Sequence, residues 1–155
     1  MDAHTQASQL IRRQGGRLTP ARSRVLEALL AAPRALTHGE LEQQLADPDP
    51  LDRVTLYRVL DWLVQEGLAH KIAGEDRVWR FNASLSENPA RAHHHAHFRC
   101  TRCGQVFCLE SLSTAFALNL PAGFHADAVE LTVAGSCPEC AAATLDVPPT
   151  VFPHE

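Results

Sequence analysis

His93-His94-His95-Ala96-His97-Phe98-Arg99-Cys100-Thr101-Arg102-Cys103 sets four imidazoles directly before a C-x-x-C, and a second C-x-x-C, Cys137 and Cys140, follows. Thiolate and neutral imidazole are the ligands preferred by borderline-soft metals such as zinc. The chain N-terminal to this stretch has a different character, and the chain beyond it supplies the other half of a thiolate set. The stretch therefore predicts a junction between two domains with metal chemistry beside it.

The 155 residues suffice for one compact domain or two small ones. Hydrophobic content of 45% and charged content of 21% describe an ordinary folded protein. No apolar run approaches a membrane span, and the first residues lack a signal-peptide core, so a cytoplasmic location and no membrane partner are expected. In a reducing compartment, paired C-x-x-C spacing favours metal over disulfides, and five cysteines divide naturally into four plus one. Net charge is −4, yet residues 1–85 are neutral and the deficit lies in residues 86–155. Residues 1–24 carry five arginines and one acid, a basic arm compatible with nucleic acid.

Along the first half, Ala7–Gln14 reads as a short helix stopped by Gly15-Gly16. Thr19-Pro20 caps a second helix closed by Pro33, and Thr37 with Glu40 has the spacing of a capping box. Asp52 caps a helix from Arg53 to Glu66, with Leu56, Leu60, Leu63 and Val64 on its apolar stripe. Arg53, Tyr57, Arg58 and Asp61 lie on its other side. Leu68–Ile72 and Arg77–Phe81 alternate around Gly74-Glu75-Asp76 as a hairpin does. This order predicts a winged helix-turn-helix, with the last helix in the DNA major groove and the hairpin as wing. A small helical domain with a merely solvated face is the plainer alternative.

The expected fold class is α+β: a winged-helix DNA-binding domain over 1–82, a hinge over 83–92, a small α/β dimerisation and metal-binding domain over 93–146, and a disordered tail over 147–155. In the second domain, His97–Cys100 and Gln105–Leu109 read as strands, Ser111–Leu120 as a helix, Ala128–Val133 as a strand and Cys137–Ala143 as a helical turn or more. Cys100, Cys103, Cys137 and Cys140 can place four thiolates at tetrahedral corners, a closed structural zinc site. With so little core available, metal should supply much of this domain's folding energy. Along a strand His93, His95 and His97 share a face. With Cys108 on a neighbouring strand and His70 from the wing, they could form a second, regulatory site. Taken singly, each is more ordinary as a solvated histidine or a small buried thiol. His4, His38, His125 and His154 receive no role.

Arg17-Leu18-Thr19-Pro20-Ala21-Arg22, then Arg53-Val54-Thr55-Leu56-Tyr57-Arg58-Val59-Leu60, then His94 to Gly104, resemble the ferric uptake regulator family. Gly123-Phe124 and Ala134 to Cys140 extend the resemblance over nearly the whole chain. It implies a dimeric, metal-dependent repressor of bacterial genes that binds an A·T-rich, palindromic double-stranded operator as a homodimer. It implies DNA contacts from Tyr57 and Arg58, a minor-groove contact from Arg17, and structural zinc on the four knuckle cysteines. Arg22, Arg53 and Thr55 join the candidate DNA-binding set.

The chain departs from the iron-sensing members. Arg80 stands where they place a glutamate ligand, Ala96 replaces an acid in the histidine run, and Val129 replaces a histidine ligand. His70-Lys71 resembles the wing of zinc uptake regulators, where that histidine is a ligand, and Cys108 takes the place of a ligand glutamate. A thiolate there suits zinc better than ferrous iron. The cysteine that zinc regulators often carry at the end of the wing is missing from Arg80-Phe81-Asn82. The expectation is thus a zinc-responsive repressor controlling zinc uptake or homeostasis, with one structural and at least one regulatory Zn2+ per chain. Which of His93, His94, His95 and His97 completes the regulatory set is open. Sensing of iron, manganese, nickel or peroxide is the nearest alternative. A zinc-dependent hydrolase would need an acid or base such as Glu110 at an open metal position, and no enzyme is expected.

Overall fold

Asp2, Thr19, Thr37 and Asp52 each stand one residue before a helix, and each side chain accepts a hydrogen bond from a first-turn N–H that has no intrahelical partner. These caps set the starts of α1 (Ala3–Arg13), α2 (Pro20–Ala31), α3 (His38–Gln44) and α4 (Arg53–Gln65). The computed structural model describes residues 2–84, 96–109, 119–126 and 129–145. At α3 the Thr37–Glu40 box is reciprocal: Glu40 N–H donates to Thr37 Oγ1 and Thr37 N–H donates to Glu40 Oε2. The first helix starts at Ala3 rather than at the expected Ala7, because Asp2 supplies the cap. Gly67, at φ 71°, ends α4 in the left-handed conformation that a side chain would disfavour.

The short strand β1 (Leu36–Thr37) and the hairpin β2 (Ala69–Ala73) and β3 (Trp79–Ala83) form one antiparallel sheet in the order β1-β3-β2. Arg77, expected in the strand, sits in the turn at φ 61°. Asn82 pairs with His70, and Ala83, expected in the hinge, still pairs with Ala69; Ser84 N–H donates to Leu68 O. Ile11, Leu26, Leu29, Leu36, Leu41, Leu56, Leu60, Leu63 and Phe81 are sealed between the helices and this sheet. On α4 the buried stripe is Leu56, Val59, Leu60 and Leu63, with Val64 only half-buried at its edge.

Gly16 approaches Trp62 so closely that a Cβ there would lie 2.5 Å from the indole ring. The Arg22 guanidinium lies over that ring, 3.7 Å from its centroid, and limits its retreat. Gly16→Ala should therefore lower stability by about 1–3 kcal/mol through overpacking, read as a lower denaturant midpoint at unchanged m-value.

The second sheet consists of β4 (Ala96–Cys100), β5 (Val106–Leu109) and β6 (Leu131–Gly135), followed by α5 (Pro138–Leu145). Its order is β5-β4-β6, with β4 antiparallel to β5 and parallel to β6. The last strand runs Leu131–Gly135, because its register sets Leu131 opposite Ala96 and Gly135 opposite Cys100; Ala128, its expected start, lies outside the described residues. Among the described residues its buried apolar groups are Ala96, Val106, Cys100 and Cys137, so thiols make up half of them. The expected helix over 111–120 falls mainly, and the hinge and the tail almost wholly, outside the described residues.

The two sheets touch beside the wing. Ala35 N–H donates to Val106 O at 2.8 Å. Ala35, Ile72 and Val106 bury one another with Cys108 against them. Arg99 of β4 pairs with Glu75 in the wing turn at 2.7 Å. No helix of the described residues is long and apolar enough to cross a membrane.

Candidate metal centres and nucleic-acid face

Parallel pairing of β4 with β6 sets Cys100 opposite Gly135, so the turn after β4 and the start of α5 lie side by side. The first knuckle closes with Gly104 N–H donating to Cys100 O at 3.0 Å, with Gly104 at φ 71°. The second closes with Ala141 N–H donating to Cys137 O at 2.8 Å. Thr101 N–H reaches Gly135 O at 2.8 Å, and Arg102 donates to Cys140 O at 2.8 Å, tying one knuckle to the other. The four sulfurs all lie within 4.8 Å of one another.

The donor chemistry and the spacing both fit zinc. Zn–S bonds of about 2.3 Å at tetrahedral angles put neighbouring sulfurs about 3.8 Å apart, and Cys103 Sγ lies 3.8 Å from Cys137 Sγ. Backbone N–H groups of Cys103 and Cys137 pull the Cys100 thiol down to about 6. The neighbouring Cys137 thiol pushes Cys140 up to about 12. The backbone donors thus favour the charged form at Cys100 and the crowding of sulfurs the neutral form at Cys140, and loading the site with metal would release protons, because the ligand is thiolate. A metal held by all four thiolates would have a closed coordination shell, with no position for a substrate.

A second cluster forms where the wing meets β5. Antiparallel register sets His97 directly opposite Cys108, and His70 reaches them from β2. His70 Nε2 lies 2.9 Å from Cys108 Sγ and 3.3 Å from His97 Nε2. Two imidazole nitrogens about 2.0–2.1 Å from one tetrahedral zinc would stand about 3.4 Å apart, close to the observed pair. The thiol–imidazole separation has hydrogen-bond length and would open by about half an ångström around a metal. The three donors lie within 4.8 Å of one another and are half-buried. His93 and His95, the other expected ligands, lie outside the described residues, as does His94. Arg80, where iron sensors place a glutamate ligand, is committed to Asp76 through two hydrogen bonds of 2.7 and 2.9 Å.

The exposed side of α4 carries Val54, Tyr57 and Arg58 at spacing i, i+3, i+4, one contiguous face. Tyr57 is 49% exposed and stacks on His38 with ring centroids 3.8 Å apart. Arg17 and Arg53 are exposed as well, Arg53 within 3.1 Å of Glu42. The structure gives the other two candidate DNA contacts local work. Arg22 lies over Trp62 and donates to Arg17 O at 2.9 Å, and Thr55 Oγ1 bonds the capping carboxylate of Asp52. Val54, which has no role in the sequence reading, is 57% exposed on the same face.

The protein-family model of the ferric uptake regulator family matches residues 13–120. The transcriptional regulator FurA of Mycobacterium tuberculosis is 32% identical over 130 residues, covering 80% of this chain and 82% of that protein. Among solved structures, holo XcZur is similar with a TM-score of 0.63 at 30% identity, covering 90% of this chain and 96% of that one. A zinc uptake regulator complexed with zinc and DNA has a TM-score of 0.61 at 25% identity, covering 92% and 95%. A winged-helix body, a second sheet closed by four cysteines, and these similarities converge: the chain belongs to the ferric uptake regulator family of metal-responsive transcriptional regulators.

Proposed function

We propose that this regulator is a zinc-responsive repressor that binds a palindromic, A·T-rich operator as a homodimer in the cytoplasm and controls zinc uptake or homeostasis genes. The observation that carries the reading is the His70–His97–Cys108 cluster, whose ligands come from both the wing and the second sheet. A metal held there ties the DNA-binding domain to the dimerisation domain, so metal occupancy and domain placement are thermodynamically linked. The soft thiolate in that set favours zinc over ferrous iron, and similarity to zinc uptake regulators supports the same choice. Cys100, Cys103, Cys137 and Cys140 are assigned to a structural zinc, and His93 or His95 remains a candidate further ligand of the regulatory one.

On DNA, Tyr57 and Arg58 of α4 face the major groove, and Arg17 reaches a minor groove, where A·T tracts are narrow and attract arginine. Zinc at the regulatory site holds the two DNA-binding domains of the dimer at the spacing of two half-sites. Metal loss releases that spacing. Moving the competent population from 1:99 to 99:1 requires about 5.5 kcal/mol of differential zinc binding.

The test is a DNA-binding titration against buffered free zinc, with zinc per chain measured alongside. Two zincs are expected per chain, one resistant to mild chelation and one tracking DNA binding. One inert zinc with metal-independent DNA binding would sink the proposal. Activation by ferrous iron, manganese or nickel at lower free concentration than zinc would reassign the effector within the family.

A further inference from the structure

His38 is the first residue of α3, outside both metal clusters, and its ring lies flat against Tyr57 at a centroid distance of 3.8 Å and an interplanar angle of 20°. Its Nε2 is buried and has no hydrogen-bond partner among the described residues. The contact with Tyr57 is therefore made through the ring face, and this nitrogen adds no hydrogen bond to it. Burial holds the imidazole below its ordinary pKa, which keeps it neutral and suited to stacking at physiological pH.

The platform under this ring is unusually well fixed for a seven-residue helix. The Thr37–Glu40 box locks its first turn, and Arg34 pairs with Glu40 at 2.7 Å. Arg53 and Glu42, 3.1 Å apart, link α3 to α4 alongside the stack. Tyr57 is held on one face and half-exposed on the remainder, next to Val54 and Arg58. An exposed tyrosine with an open face would sample several rotamers, and fixing one on binding costs side-chain entropy.

Resting on the reading of α4 as the DNA-facing helix, we infer that His38 is a positioning residue for sequence recognition, stacking on Tyr57 so that its ring is already oriented when DNA arrives. His38 touches no base in this scheme. It narrows the orientations of the residue that does, and it acts on discrimination between sequences more than on general attraction to the phosphate backbone, which comes from the cations.

The chain has a single tyrosine, so ring signals of labelled Tyr57 are unambiguous in NMR spectra of the zinc-loaded, full-length protein. The DNA probes are the duplex that wild type selects from a randomised pool and a scrambled duplex of equal length. His38→Ala is expected to shift the Tyr57 ring resonances and weaken the selected duplex by about three- to tenfold, the range of one aromatic pair. The scrambled duplex should stay within about twofold, and His38→Phe should restore both the discrimination and a stacked ring. Adding Tyr57→Ala to His38→Ala should cost no more than Tyr57→Ala alone.

If Tyr57→Ala weakens the selected duplex while His38→Ala leaves it and the ring signals unchanged, the inference falls and the DNA-facing helix stands. Equal losses on both duplexes, with no rescue by His38→Phe, would make His38 merely a packing residue and likewise overturn it. Should Tyr57→Ala itself change nothing, the assignment of the α4 face to DNA fails first.

Discussion

His70→Ala should leave the structural zinc in place and weaken the zinc response of DNA binding. Tight chelation-resistant metal is expected to remain near one per chain, while half-maximal DNA binding moves to free zinc at least roughly 100-fold higher. The scale follows because even groups that only orient a ligand change metal affinity by about 10–100-fold, and His70 is one of the three donors brought together at this site. Cys108→Ser should act in the same direction, since a neutral hydroxyl replaces the thiolate. Its effect should be larger for zinc than for manganese, because the hydroxyl is the harder donor. The two substitutions remove the same metal, so the double variant should be little worse than the more damaging single one. An unaltered zinc dependence in both variants would move the sensor elsewhere. The Arg99–Glu75 ion pair lies on the surface beside this contact, with Glu75 mostly exposed, and cannot substitute for the metal.

Cys137→Ser should have the largest effect on the fold itself. Its sulfur is buried, accepts the Cys140 N–H and lies 3.8 Å from Cys103 Sγ, so its loss opens the thiolate set at the knuckle that starts α5. Structural zinc contributes about 10–16 kcal/mol of apparent binding energy in small zinc modules, as large as a whole domain's stability of about 5–15 kcal/mol. Among the described residues, the second sheet has few buried apolar groups beyond the cysteines to replace it. The variant is expected to lose the chelation-resistant zinc, become protease-sensitive beyond β4 and fail to dimerise. The winged-helix body, with its own core, should retain its helical circular dichroism. Retention of one tightly held zinc would overturn the assignment. Reloading the metal-free wild type at neutral pH should release protons, because the crowding of sulfurs favours the neutral form at Cys140 and the ligand is thiolate. Lowering the pH should drive zinc off, because binding and protonation compete for the same sulfurs.

The parts of this molecule that were legible in sequence are those whose physics is local. Thr19, Thr37 and Asp52 announce helix starts because capping needs only a side chain and an N–H three residues on. The hairpin around Gly74-Glu75-Asp76 is visible in its alternation, and the four knuckle cysteines in their spacing, since C-x-x-C brings two sulfurs together within one turn. Boundaries moved where pairing with a distant strand decided them. Asn82 and Ala83 stay in β3 because β2 offers them partners, and β6 runs to Gly135 because β4 does.

Other features depended on contacts that no sequence window contains. Arg22 looks like a DNA contact until Trp62, forty residues later, lies under its guanidinium. His38 has no distinguishing neighbour in sequence, and its stack on Tyr57 arises only when α3 packs on α4. In the run from His93 to His97 every imidazole is chemically equivalent. What brings His97 to the cluster is the antiparallel register that faces it with Cys108, together with the docking of the wing that carries His70. The sequence by itself determined which ligand chemistry this protein has, because side-chain type fixes donor softness. Only the tertiary structure decided which donors share a site, because a metal needs them within a few ångströms, and strand pairing and domain contact set that distance.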